Sequence, residues 1–380
     1  MVSKLLRRIK KYFIAIYNII WFTIYTNNAA PLKSDYSEDS IWKGIVTFTN
    51  ENRSIEYNFF LKEFGKENEF KWVGGVYTGN AIVGIANGAV SCMVLDLKKN
   101  QLSNIGSLNV GDFKWSGGCF FNGTVYGFPR KSNNLMVFPI SDGLPPDEIS
   151  LEISYSKEHH YGGVCTKDGI IYQPPRNSNT ILKTDLKNNK TKEISISKDR
   201  RKFRYCGSII HPNGLIYMFP EYMEKVMVIN PKTDKVYFIG KIFSSMTFDA
   251  CIGYDGNIYG FSAYSNGILK IDVNKNTANM LFDDKKFGCY GSILGANGNV
   301  IGVPGDGNQI YEYNIKENCV KVIASLEEKG PAKCAGSAVS DDGTIYCIPA
   351  LGNKIYMLKP GESIKIPGEL LQSSYFNGNY

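Results

Sequence analysis

The chain has 380 residues, 43% of them hydrophobic and 13% aromatic, which is enough to bury a large core and excludes both a disordered tail and a small disulfide-stapled domain. Glycine supplies 38 of the 380 residues, one in ten against roughly 7% in ordinary composition, beside 24 Tyr and 21 Phe. That mixture excludes a helical bundle and points to short strands joined by tight turns. The net charge of +7 is concentrated at one end: Lys4, Arg7, Arg8, Lys10 and Lys11 account for five of the 43 basic residues, leaving 38 against 36 acidic ones. A body so near neutrality lacks the broad positive field that phosphate backbones require, so nucleic acid is not an expected partner.

Behind the basic cluster, residues 12–25 read YFIAIYNIIWFTIY without a charge. A basic flank before a short apolar run has the form of a secretory signal or signal anchor. The run is shorter than the roughly 20 residues of a comfortable membrane span. Its aromatics suit the headgroup layer, with the basic end on the cytoplasmic side. Residues 1–35 are therefore expected to target or anchor the protein and to make its membrane contact, placing it at a membrane or outside the cell. An amphipathic helix packed on the body is the competing reading. Nine cysteines argue the other way. Cys92, Cys119, Cys165, Cys206, Cys251, Cys289, Cys319, Cys334 and Cys347 are odd in number, mostly sit in apolar strand patterns and contain no C-x-x-C pair, which fits a reducing, cytoplasmic compartment.

Residues 36–69 hold two strand-like pieces, 43–48 and 54–60. They resemble the third and fourth strands of a unit lacking its first two, and are expected either to tie a ring closed or to form a degenerate eighth blade with the tail, residues 369–380.

From residue 70 the sequence repeats. Gly74-Gly75, Gly117-Gly118, Gly162-Gly163, Gly207-Ser208, Gly291-Ser292 and Gly336-Ser337 each open a short apolar segment, and Asp249-Ala250 takes that place in the fifth copy. A turn follows in each, such as Asn122-Gly123, Asp168-Gly169 or Asp342-Gly343; from Gly123 onward the turn glycines are 46, 45, 42, 42 and 45 residues apart. Asn-Gly and Asp-Gly between apolar runs are strong hairpin signals because these turns need positive φ. The next run is Val125-Tyr126-Gly127-Phe128-Pro129, with counterparts at 171–175, 216–220, 258–262 and 345–349. Alternation puts Tyr126 and Phe128 on one face and Val125 and Gly127 on the other, so that a bulky face meets a neighbour's smaller one. Proline then ends the strand. A third run often ends at an Asp or Asn turn former, and a fourth, more exposed run closes the unit.

Four antiparallel strands per roughly 44 residues define a propeller blade. The expectation is an all-β chain: one monomeric β-propeller of seven four-stranded blades over residues 70–368, with eight blades as the alternative. The Gly-Gly opening and the D-G-x-I-Y-x-x-P stretch resemble the β-propeller repeats of the kelch, NHL and lactonase-like groups. The regularly spaced Tyr and Trp of kelch repeats, the G-H and W-D marks of WD repeats and sialidase Asp-boxes are missing. The resemblance therefore implies an architecture and no specific activity.

Strand-one entrances and strand-two-to-three loops share one end of every blade, which we call the mouth. Phe70-Lys71-Trp72, Phe113-Lys114-Trp115, His159-His160-Tyr161 and Phe203-Arg204-Tyr205 stand before the double glycine, with Lys333 at the same place in the seventh copy. Cations suit carboxylate, sulfate or phosphate groups, aromatic faces suit sugars or cations, and Asn-rich loops supply amides. Lys71, Trp72, Lys114, Trp115, His159, His160, Arg204, Tyr205 and Lys333 are the candidate residues of a non-enzymatic site for a protein or an anionic or carbohydrate ligand. The competing reading makes the aromatics wedges between blades and the cations solvated. No G-x-S-x-G, H-E-x-x-H or Walker motif is present, so no catalytic residue and no cofactor are expected. The alternative function is a lactonase-like hydrolase with a metal, such as calcium, in the central channel, built from scattered Glu, Asn and Asp.

Overall fold

The computed structural model describes residues 70–360 apart from short stretches at 110, 112, 152–159, 197–201, 327–329 and 353, together with the backbone of 42–48. Its strands form seven antiparallel sheets. Blade I comprises Trp72–Tyr77, Ala81–Ala86, Cys92–Asp96 and Gln101–Ile105. Blade II comprises Trp115–Phe121, Thr124–Pro129, Asn134–Phe138 and Asp147–Ser150. Blades III to VI repeat the pattern, starting at Val164–Cys165, Phe203–Ile210, Cys251–Ile252 and Cys289–Leu294. Blade VII takes three strands from the end of the repeat, Cys334–Val339, Ile345–Pro349 and Ile355–Pro360. Its fourth is Trp42–Phe48, antiparallel to Ile355–Pro360 with Thr47 opposite Tyr356. The earlier of the two strand-like pieces thus closes the ring and the blades number seven. The piece at 54–60, the N-terminal segment 1–35 and the tail 369–380 lie outside the described residues. Among the described residues the one helical piece is a 3-10 turn at Ile140–Asp142, and no helix is long and apolar enough to cross a membrane.

The repeated sequence features have local causes. In four of the blades the first residue of the pair is a glycine with positive φ, as at Gly74 (φ 95°) and Gly117 (φ 74°), where strand one shifts register. The second must be small: a Cβ on Gly118 would lie 2.5 Å from the Tyr126 carbonyl oxygen and 2.8 Å from Ile85 of the preceding blade.

Each of the seven blade interfaces has its own apolar cluster. Tyr217 and Phe219 of blade IV pack on Ile252, Ile258 and Leu269 of blade V. Tyr172 of blade III packs on Ile216 and Met218 of blade IV. Trp72, Ile82 and Met93 of blade I meet Tyr346 and Ile348 of blade VII, and this last interface completes the circle. Bulky residues of one strand two therefore face the smaller side of the next blade, as the alternation predicts. Fully burying one such side chain is worth about 1.5–3 kcal/mol.

Candidate functional site

The mouth is built by a junction that recurs between blades. The backbone N–H of Lys71 donates to the Ala350 carbonyl of blade VII, that of Lys114 to Asn87 of blade I, and that of Lys333 to Gly305 of blade VI. Each strand-one entrance is thereby hydrogen-bonded to the strand-two-to-three loop of the blade before it. The lysine side chains repeat the link. Lys71 Nζ donates to the Gly352 carbonyl at 2.7 Å, Lys114 Nζ to Ala89 at 2.8 Å and Asn109 at 2.5 Å, and Lys333 Nζ to Asp306 at 3.3 Å and Gly307 at 3.2 Å, with Gly330 a further acceptor. All three lysines are buried. Their ammonium groups brace loops within the wall, which explains why one blade position repeats the cation.

The adjacent register position has an equally regular partner. Trp72 Nε1 donates to Ser91 (2.9 Å), Trp115 Nε1 to Asn134 (2.7 Å) and Tyr205 Oη to Lys225 (2.8 Å), each acceptor a carbonyl at the start of strand three of the same blade. His160 Nε2 meets the Thr180 carbonyl in the same way at 3.0 Å, so His160 aligns with Trp72. These four side chains are buried too. Of the nine candidates, seven are thus wall residues, His159 lies outside the described residues, and Arg204 reaches solvent, with its side chain 45% exposed.

Other side chains cover the mouth. The position after the aromatic register, held by Val73, Tyr161, Cys206 and Ala335, points to the ring axis, where these residues join one cluster. Blades III and VI carry large rings there. Tyr161 lies 5.9 Å from Phe248, and Phe248 lies 5.3 Å from Tyr290, centroid to centroid. Phe70, Tyr264 and Leu351 pack around them, so an aromatic floor fills the channel entrance.

On the side of blades II to IV, cations and rings alternate above this floor. The Arg130 guanidinium sits 4.3 Å from the Phe113 ring and 4.2 Å from the Tyr161 ring. Lys131 lies 4.5 Å over Phe113, and Arg176 lies 4.9 Å from Tyr161. The loop segment Arg176–Ser178 pairs with blade IV, bringing Arg176 opposite Arg204. Both bind buried Glu221: Arg176 in a bidentate pair at 2.7 and 2.8 Å, Arg204 at 3.3 Å. Arg130, Lys131, Arg176 and Arg204 thus bring four cations into this sector, around the buried Glu221 carboxylate.

Across the mouth, Tyr290 Oη donates to Tyr264 Oη at 2.6 Å, and the Asp306 carboxylate accepts the Ala332 N–H at 3.1 Å. Burial raises the Asp306 pKa, opposed by the neighbouring Tyr290 hydroxyl, the Ala332 N–H and the Lys333 charge. Burial, with Tyr264 and Asp306 nearby, pushes the Tyr290 phenol well up, and burial does the same to Tyr264. These phenols are hydrogen-bond donors, not bases. Burial also holds the Cys206 thiol protonated, donating to the Thr247 carbonyl at 3.1 Å. Among the described residues no group of three or more His, Cys, Asp or Glu is placed to hold a metal ion.

Backbone strain concentrates on the same face. Among the described residues, twelve non-glycine residues have positive φ, and seven of them are the Asn or Asp that tolerate it. Of the other five, Phe113 (φ 56°), Tyr222 (φ 61°), Met223 (φ 52°) and Ala332 (φ 46°) are mouth residues. Each costs about 1–2 kcal/mol, and such strain gathers where a fold holds a side chain for use. The composition of the entrances points to this face. The axis-facing position escapes notice in the sequence, since Val, Tyr, Cys and Ala share no chemistry there.

No family model matches the chain, and no curated protein resembles it in sequence. Solved structures do resemble it in fold. A streptogramin B lyase superposes with a TM-score of 0.67 at 14% identity, covering 85% of this chain and 99% of that one. Virginiamycin B lyase from Staphylococcus aureus gives 0.65 at 15% identity, covering 83% and 98%. A catalytically inactive variant of the latter, with quinupristin, gives 0.65 at 14% identity. Likeness at this level establishes the architecture, a seven-bladed β-propeller, and leaves activity to the site.

Proposed function

We propose that this chain is a non-enzymatic binding propeller that holds an anionic ligand at the mouth of blades II to IV. The observation that carries the reading is the gathering of Arg130, Arg176 and Arg204 with Lys131, of which Arg130, Lys131 and Arg176 stack on Phe113 and Tyr161 while Arg204 lies by Tyr222. Guanidinium groups already oriented by rings lose little freedom when a carboxylate or sulfate arrives, which favours binding. The Arg130→Gln/Arg204→Gln double variant, against a panel of acidic peptides and uronate or sulfated oligosaccharides, should bind at least tenfold more weakly at low salt and differ less at high salt. Equal binding by the folded double variant sinks the reading. We further propose that residues 1–28 carry the protein to a membrane or out of the cell.

The fold likeness to the lyases favours one second reading, catalysis at the same mouth. Against it, His160 and His211 are fixed by the Thr180 and Gly256 carbonyls, and the phenols and Cys206 at the mouth stay protonated. Incubation with quinupristin or a lactone panel, with metal analysis of the purified protein, separates the readings. Turnover lost together with a stoichiometric metal would establish the hydrolase; turnover without metal would establish a lyase.

A further inference from the structure

We infer that the ligand of this mouth is an acidic protein segment carrying an apolar side chain, and that it docks on the tip of the blade IV loop at Arg204, Tyr222 and Met223. This rests on the mouth of blades II to IV being the binding face. Met223 is 63% exposed, more than any other large hydrophobic residue described, and it follows Tyr222 in the loop whose Glu221 N–H bonds the carbonyl of half-exposed Arg204. The Arg204 guanidinium lies 5.9 Å from the Tyr222 ring, so apolar and cationic surface are continuous there.

The loop is held in place from below. The Glu221 N–H donates to the Arg204 carbonyl at 2.9 Å, the Tyr222 N–H donates to Ser245 at 3.2 Å, and Glu221 bridges to Met246. Arg176 clamps the Glu221 side chain. These contacts keep Tyr222 and Met223 in consecutive left-handed conformations, which neither side chain favours alone. Tyr222 packs against the axis cluster, whereas Met223 gains no packing from its strain, being turned to solvent. A flexible, polarizable thioether displayed on a fixed loop suits an apolar side chain of a partner, while Arg204, held by one 3.3 Å contact to Glu221, has donors left for a carboxylate. A uronate or sulfated sugar would use the guanidinium and leave the methionine idle. An acidic peptide with an apolar residue next to its carboxylate uses both.

The test titrates the full chain with three probes: a twelve-residue peptide of alternating Glu and Leu, polyglutamate of the same length, and a uronate oligosaccharide. Wild type should prefer the Glu/Leu peptide about tenfold over polyglutamate. Met223→Ser should erase that preference without changing polyglutamate binding, and Met223→Leu should keep it. Met223→Gly, which relieves the left-handed strain and so preserves the fold, should lose the preference as Ser does. If the Met223 variants bind the Glu/Leu peptide like wild type while Arg204→Gln weakens every anionic probe, the peptide inference fails and the mouth reading stands. Tightest binding to the oligosaccharide, indifferent to Met223, likewise overturns the inference. If no anionic probe binds, both readings fall.

Discussion

Replacing Lys114 by Met tests the division between wall and ligand contacts. The side chain keeps its length and apolar stem but loses the ammonium that bonds the Ala89 and Asn109 carbonyls and lies 5.2 Å over the Trp115 ring. Leaving the buried Ala89 carbonyl without this donor costs about 1–3 kcal/mol, losing the bond to exposed Asn109 roughly 0.5–1.5 kcal/mol, and losing the cation–π contact roughly 0.5–2 kcal/mol. Relief from burying a charge offsets about half of that sum. A net loss of about 1–3 kcal/mol follows, which at ~2–4 °C per kcal/mol lowers Tm by roughly 2–12 °C. Differential scanning calorimetry measures this directly, with Lys98→Gln and Lys232→Gln at the opposite, exposed end as controls expected within about 0.5 kcal/mol of wild type. Binding of anionic probes by the folded variant should be unchanged. A Lys114→Met protein as stable as wild type that has lost binding would refute the bracing argument and return this lysine to the ligand.

Other consequences can be measured alongside. Asp234 of blade IV accepts Lys183 and Lys192 of blade III, each at 2.8 Å; burial opposes ionisation, yet the two lysines outweigh it and lower the pKa. Because the folded pKa is depressed, the stabilisation is present above the unfolded value of about 3.9 and is lost as pH falls through the folded one. Asp234→Asn should thus cost up to about 1 kcal/mol near neutrality, allowing for solvent screening, and progressively less in urea titrations as pH falls below about 3.9 and through the depressed folded pKa. A chain lacking residues 1–50 should lose the closing strand and unfold at lower urea with a broader transition, and unchanged unfolding would contradict the closure. A fluorescent fusion lacking residues 1–28 should leave the membrane fraction; its continued sedimentation with membranes would reject the targeting role.

The architecture was legible in the sequence because each structural need repeats. Positive φ at the strand-one opening selects glycine in four blades, at Gly74, Gly117, Gly162 and Gly336, hairpin turns demand Asn-Gly or Asp-Gly, and interlocking faces demand the Ile-Tyr-x-Phe alternation. Ring closure was only half legible, since 43–48 looks like a strand but its partner, 355–360, lies three hundred residues away. The sequence shows cations and rings at the blade entrances, but the structure distributes them differently. Lys71, Lys114 and Lys333 are cationic because loop carbonyls from the preceding blade need a donor, and a repeated structural need looks in sequence like a repeated binding group. The residues that reach the opening, Arg130, Arg176 and Tyr161, come from loops and from a register with no shared residue type. Only the contact of Arg176–Ser178 with the next blade brings Arg176 and Arg204 onto one carboxylate.

The most direct test of the account is a hydrogen–deuterium exchange footprint of the full chain with and without the Glu/Leu peptide. Binding at the mouth should slow exchange in the loops at 130–133, 176–179 and 221–223 and leave the strand-one-to-two turns at Asn122-Gly123, Asp168-Gly169 and Asn213-Gly214 unchanged. Protection confined to those turns, or to the outer strands of the blades, would contradict it.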